Sequence, residues 1–101
     1  MHVRQFIVPH DHAALPGHFP GNPVVPGVLL LDHVLSLLEA MQGPLHGVRL
    51  PQVKFLQPLL PGQDARVELS ARGSSSWRFQ IFRGDTLLAT GDIVTTTGTA
   101  T

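Results

Sequence analysis

His18 and Asp32 stand fourteen residues apart, joined by a stretch that contains Pro20, Gly21, Pro23, Pro26 and Gly27. Three prolines and two glycines leave a loop few backbone conformations, which suits an imidazole that must address one atom of a substrate. Asp32 follows four apolar residues, Val28 to Leu31, on a segment greasy enough to be the centre of a small domain. An ionisable group there needs a reason. An imidazole with an ordinary pKa of about 6.5 can accept a proton near neutral pH, and a carboxyl group can deliver one, so the pair has the types required for two opposite proton transfers. Taken singly, His18 reads as a loop-capping residue and Asp32 as part of a solvated stripe. The shared spacing across Pro26-Gly27 favours an acid/base site.

The elements that must position these groups are legible in the hydrophobic pattern. Residues 3–8 read as a strand stopped by Pro9, followed by a polar, proline-rich loop to Pro26. Residues 27 to about 42 carry Val28, Leu29, Leu30, Leu31, Val34, Leu35, Leu37, Leu38 and Met41, with Gly43-Pro44 as a stop signal, and predict one long helix. At about 100° per residue, Ser36 and Glu39 fall close to Asp32, leaving one narrow polar stripe on an otherwise apolar cylinder. His33 points elsewhere. Four further strands are predicted over 48–60, 65–71, 77–82 and 87–97, separated by Pro61-Gly62, Gly73 to Ser76 and Gly84-Asp85. A strand, a buried helix and a meander imply an α+β fold, an antiparallel sheet wrapped around one long central helix. Trp77 and Phe79 alternate along a strand and are expected in the core, and residues 95–101 are expected to fray.

Composition bounds the rest. The 101 residues fit one domain, 1–101, for which oligomerisation is an expected supplement to a small core. Seven basic and seven acidic residues cancel, which argues against a nucleic-acid partner. The chain has no cysteine, so disulfides, thiolate zinc sites and a cysteine nucleophile are excluded. No signal peptide or membrane span is apparent, and a cytoplasmic location is expected. His10-Asp11-His12 has metal-ligand types, but no further Glu/His pair sits at ligand spacing and no metal is expected.

His18-Phe19-Pro20-Gly21, then Pro23, Pro26-Gly27-Val28-Leu29 and the acid Asp32, resemble the active-site segment of the beta-hydroxyacyl-acyl-carrier-protein dehydratases, the FabA/FabZ family. Gly17, Val53-Lys54-Phe55, Pro58, Pro61-Gly62 and Trp77-Arg78-Phe79 are also similar to the FabZ branch. The resemblance covers most of the chain and implies the hot-dog fold. It departs at Asp32, where the FabZ branch usually has glutamate and the FabA branch aspartate. It departs again at Ser36, where the family usually places a glutamine.

The resemblance implies dehydration of acyl-carrier-protein-linked 3-hydroxyacyl thioesters, without a cofactor, at sites shared across a homodimer. Assemblies beyond the dimer are left open. His18 is expected to take the proton next to the carbonyl and Asp32 to protonate the leaving hydroxyl, directly or through a water. The backbone N–H groups near Gly27 and Val28 can receive the negative charge that builds on the thioester oxygen, and Gly27 allows substrate to approach the backbone. Phe19, Gly27 and Val28 are therefore expected to bind substrate. Arg49, Lys54, Arg66 and Arg72 are candidates for guiding an acidic carrier, none singled out. Hot-dog acyl thioesterase is the second reading, and a noncatalytic acyl-binding or partner subunit the third, because fold alone does not choose a chemistry.

Overall fold

Alternation along the C-terminal half decides the architecture. In Ala65–Ala71 (β3), Ala65, Val67 and Leu69 are buried while Arg66, Glu68 and Ser70 between them are partly exposed. Ser76–Arg83 (β4) buries Phe79 and Ile81 completely in the same rhythm. This period of two turns one face of each strand toward a core and the other toward water. The computed structural model, which describes residues 1–12 and 24–96, adds four elements to these. They are His2–Phe6 (β1), Gly27–Gln42 (α1) and Gly47–Phe55 (β2), and Thr86–Thr96 (β5) completes the set. All strand pairs are antiparallel, in the order β1-β3-β4-β5-β2.

The helix lies on the inner face. Leu30, Val34, Leu37 and Leu38 recur at helical spacing and are buried against the sheet, with Leu29, Leu31, Leu35 and Met41 half-buried at their flanks. The helix occupies the predicted residues. Gly43 ends it, its N–H donating to the Glu39 carbonyl at 2.8 Å, and Pro44 follows. Phe79 is fully buried and Trp77 packs half-buried on the same core, as their alternation predicts.

Two strand boundaries differ from the sequence expectation by two residues or more. β1 stops at Phe6 rather than residue 8, although Val8 stays buried and its carbonyl accepts the Gly62 N–H at 2.8 Å. β2 stops at Phe55 rather than residue 60 because the N–H groups of Leu56 and Gln57 both turn to the Leu88 carbonyl, at 2.7 and 3.2 Å. Two amides converging on one acceptor end a ladder, and Pro58 has no N–H with which to resume it. Earlier in β2 the register slips between Arg49 and Gln52, where Pro51 likewise lacks a donor. The expected frayed tail falls largely outside the described residues, although Thr95 and Thr96 still pair with β2.

Gly91 in β5 makes room for the close approach of its two neighbouring strands, β2 and β4. A Cβ there would lie 2.5 Å from the Gln52 carbonyl oxygen and 2.6 Å from the Phe79 ring. Gly91→Ala is therefore expected to lower unfolding free energy by about 1–3 kcal/mol through overpacking, read from urea midpoints at unchanged m-value.

The helix is tied to β1 by His33, whose ring stacks on Phe6 with centroids 4.1 Å apart and planes 18° apart. Burial lowers its pKa below 6.5; Asp32 opposes that shift, while Arg4 and His12 reinforce it. A histidine that stays neutral in the fold but protonates once unfolded stabilises the native state above pH 6.5, and that contribution drains away as pH falls toward the depressed folded value. Urea midpoints are expected to fall across this window in the wild type and to fall less in His33→Gln.

Candidate active site

The site is built around the exposed stripe of the central helix. Val28, Asp32 and Ser36 follow one another at intervals of four residues, so they stack along one side of α1, and all three are exposed. Val28 is 64% exposed although it sits in a leucine-rich segment. The stripe is thus less uniformly polar than the sequence suggests, with an apolar group at the helix start, the carboxyl one turn later and a hydroxyl one turn beyond. Glu39 continues its exposed edge.

At the head of this stripe the helix offers backbone donors. Pro26 takes the N-cap position in an extended conformation and gives no side-chain cap, while the Leu29 N–H donates to the Pro26 carbonyl at 3.0 Å. The first amides of any helix lack intrahelical acceptors and carry the positive end of its dipole, so those of Gly27 and Val28 can stabilise an oxyanion. The entry to the helix is held by the Val25 N–H donating to the Leu59 carbonyl at 2.9 Å, and the Val25 side chain is buried.

Gly27 is required for a reason the sequence did not reveal. A Cβ at this position would come within 2.7 Å of Phe55 Cζ, so the close approach here is that of an aromatic ring from the end of β2. The ring is 53% exposed and, with Val28, makes an apolar border at the helix start. Phe55 is therefore a candidate substrate-contact residue that sequence reasoning passed over, although its alternation with Val53, which places both on the inner face, was a usable signal.

Ser36 has a partner from another element. Arg4 of β1 donates from Nη1 to Ser36 Oγ at 3.1 Å, placing a guanidinium one helical turn beyond Asp32. His33, next to Asp32 in sequence, faces Phe6 instead, as adjacent helical positions must. His18 and Phe19 lie outside the described residues, so the structure places Asp32, Gly27 and Val28 together at one end of α1 and does not describe their proposed partners.

Elsewhere, two open concavities of about 190 and 280 Å³ lie on the outer face of the sheet, one beside Lys54, Arg78 and Asp92 and the other beside Asp64, Arg66 and Phe82; neither includes a residue of the helix. Arg78 and Arg66 are ion-paired with Asp92 and Glu68, and Arg66 also lies over the Phe82 ring. Among the described residues, no group of three or more His, Asp or Glu side chains is placed to hold a metal ion, and no helix is long and apolar enough to cross a membrane.

Comparison with known proteins bears on the fold and the family. A FabZ from Legionella pneumophila, a 3-hydroxyacyl-[acyl-carrier-protein] dehydratase, is 30% identical over 80% of this chain and 64% of its own. The chain spans about half to two thirds of the length of the curated relatives it matches. A dehydratase heterocomplex, ApeI:P from Xenorhabdus doucetiae, superposes with a TM-score of 0.80 at 24% identity, covering 94% of this chain and 86% of that one. A fluoroacetyl-CoA-specific thioesterase matches less closely, with a TM-score of 0.61 at 16% identity, covering 95% and 89%. At these identities the two structures establish the hot-dog fold and nothing finer. The family model described as ApeI dehydratase matches residues 2–92, and this chain belongs to that ApeI-like family of hot-dog dehydratases.

Proposed function

We propose that this protein removes water from 3-hydroxyacyl thioesters carried on an acyl carrier protein, giving trans-2-enoyl thioesters for fatty acid or related acyl-chain biosynthesis. The observation that carries this reading is the exposed Asp32 carboxyl, one turn past Val28, on a helix whose N-cap residue, Pro26, gives its first amides no side-chain cap. The names of the FabZ relatives supply the substrate class.

In the reaction, neutral His18 takes a proton from C2 of the acyl chain, and the electron pair moves toward the thioester carbonyl. The amides of Gly27 and Val28 stabilise the oxygen that gains charge, where a donor preorganised in a dry site is worth most. The electrons then return to form the C2–C3 double bond as the C3–O bond breaks, and Asp32 gives the departing hydroxyl its proton, directly or through a water. Water and the enoyl thioester leave. Proton exchange with solvent then restores neutral His18 and protonated Asp32, so no net oxidation or reduction occurs.

The chain works as a homodimer in this reading, with His18 and Asp32 of each site drawn from different subunits. Supporting it, Val28, Phe55, Leu56 and Leu60 are all exposed, and the Phe55 ring lies against the backbone at the start of the helix beside Val28. Among the described residues β2 also lies at the edge of the sheet, with one side of its backbone unpaired. A second copy covering this region would supply the dry walls an acyl chain requires. The heterocomplex named for the Xenorhabdus neighbour makes an unlike hot-dog subunit the alternative occupant.

Incubation with a 3-hydroxyacyl thioester separates the chemistries, because an enoyl product reports dehydration and a free thiol reports hydrolysis. The enoyl absorbance is expected from the wild type, and His18→Ala and Asp32→Asn are each expected to lower kcat by about 100-fold or more with folding intact, as loss of a general acid or base does. Thiol release with no alkene would replace this reading with thioesterase. Analytical ultracentrifugation is expected to show a dimer that Phe55→Asp shifts to monomer; a wild-type monomer would remove the shared-site model.

A further inference from the structure

Arg4 stands where a charge has no obvious place. The register of β1 sets it opposite fully buried Val67, on the same face as Phe6, which turns into the core. A guanidinium on that face must reach polar surroundings, and Arg4 does so by extending to the exposed stripe of α1, where it ends on Ser36 Oγ. The helix itself contains no lysine or arginine; its charged residues are Asp32 and Glu39, alongside His33. Arg4 therefore carries a fixed positive charge to the acidic side of the helix. Its field is also felt at His33, next to Asp32.

The hydrogen-bond chemistry narrows what this contact does. An arginine can only donate, so Ser36 accepts through an oxygen lone pair and its own hydroxyl proton is left for another acceptor. Asp32 is one helical turn back, where side chains four residues apart are about 5–6 Å apart at Cβ. We propose that Arg4 is a positioning residue for the proposed acid: through Ser36 it directs a polarised hydroxyl at the Asp32 carboxyl and fixes its orientation toward the substrate. This inference rests on the dehydratase reading above. A glutamine in place of Ser36 would need no such partner, because a carboxamide carries two N–H donors and an acceptor of its own.

Steady-state kinetics on the dimer test it, using enoyl formation in the wild type, Arg4→Met, Arg4→Lys, Ser36→Ala, the Arg4→Met/Ser36→Ala double variant and Arg4→Met/Ser36→Gln, with thermal melts as a folding check. Arg4→Met and Ser36→Ala are each expected to lower kcat about tenfold while KM moves by less than about twofold, the pattern of an interaction used in the transition state. The double variant is expected to lose no more than either single one, because both break the same chain of contacts. Arg4→Lys is expected to keep part of the activity and Arg4→Met/Ser36→Gln to regain most of it. Unchanged kcat in Arg4→Met, as when the Ser36 hydroxyl serves only the backbone carbonyl four residues earlier, overturns the inference, and so do additive losses in the double variant or no gain from Ser36→Gln. An active wild type with insensitive variants sinks this inference alone; a wild type that yields no enoyl product sinks the dehydratase reading and this inference with it.

Discussion

Among the described residues one helix lies on one sheet, and a helix so placed can hide only part of its circumference, a limit that sets the arrangement of the other described residues. Leu30, Val34, Leu37 and Leu38 fill the space above the inner sheet face, where Val67, Leu69, Phe79, Ile81 and Leu88 are fully buried. Each such side chain removed from water contributes about 1.5–3 kcal/mol, enough to fix the helix's rotation. Once that rotation is set, positions 28, 32 and 36 have nowhere to go but outward. The carboxyl is exposed as a geometric consequence of how the core is filled.

The same packing fixes where the helix starts. Phe55 comes from the last residue of β2, and its ring occupies the space that any side chain at position 27 would need. The Val25–Leu59 hydrogen bond holds the approach to the helix against the segment after β2. The uncapped amides and the apolar border beside them are therefore set by contacts to the sheet and the segment that follows β2, with two structural elements converging on one glycine. Rigid surroundings of this kind are what preorganised electrostatic stabilisation requires, since donors that must first reorient lose much of their effect.

Much of this could be read from residues alone, and the failures have physical causes. The helix was legible at both ends because periodicity and Gly43-Pro44 agree, and the meander because turn residues separate alternating segments. The extent of β2 was not: residues 56–60 look strand-like, yet nothing local says that two consecutive amides will share the Leu88 carbonyl. The crowding at Gly27 was not legible either, because the ring that a Cβ there would meet comes from 28 positions later in the sequence. Arg4 escaped notice for a similar reason. Its contact with Ser36 joins residues 32 positions apart, and only the pairing of β1 with β3 brings that face of the strand beside the helix. Local pattern reports faces and turns, while the partners of a particular side chain depend on tertiary register.

Elimination of water makes two demands that a lone subunit meets poorly. Charge stabilisation and acyl-chain binding both favour a dry slot, yet the group that protonates the leaving hydroxyl must exchange protons with solvent between turnovers. A stripe that is wet in one subunit and covered at its apolar end by another reconciles them. In the proposed dimer Val28 and Phe55, at the helix start, fall in the part to be covered, and Ser36 with Arg4, a further turn along, in the part that stays polar. Asp32 lies between the two. Under the proposed function its place on the helix matches the boundary between dry binding and proton exchange, so moving the proposed acid one turn in either direction would sacrifice one of the two.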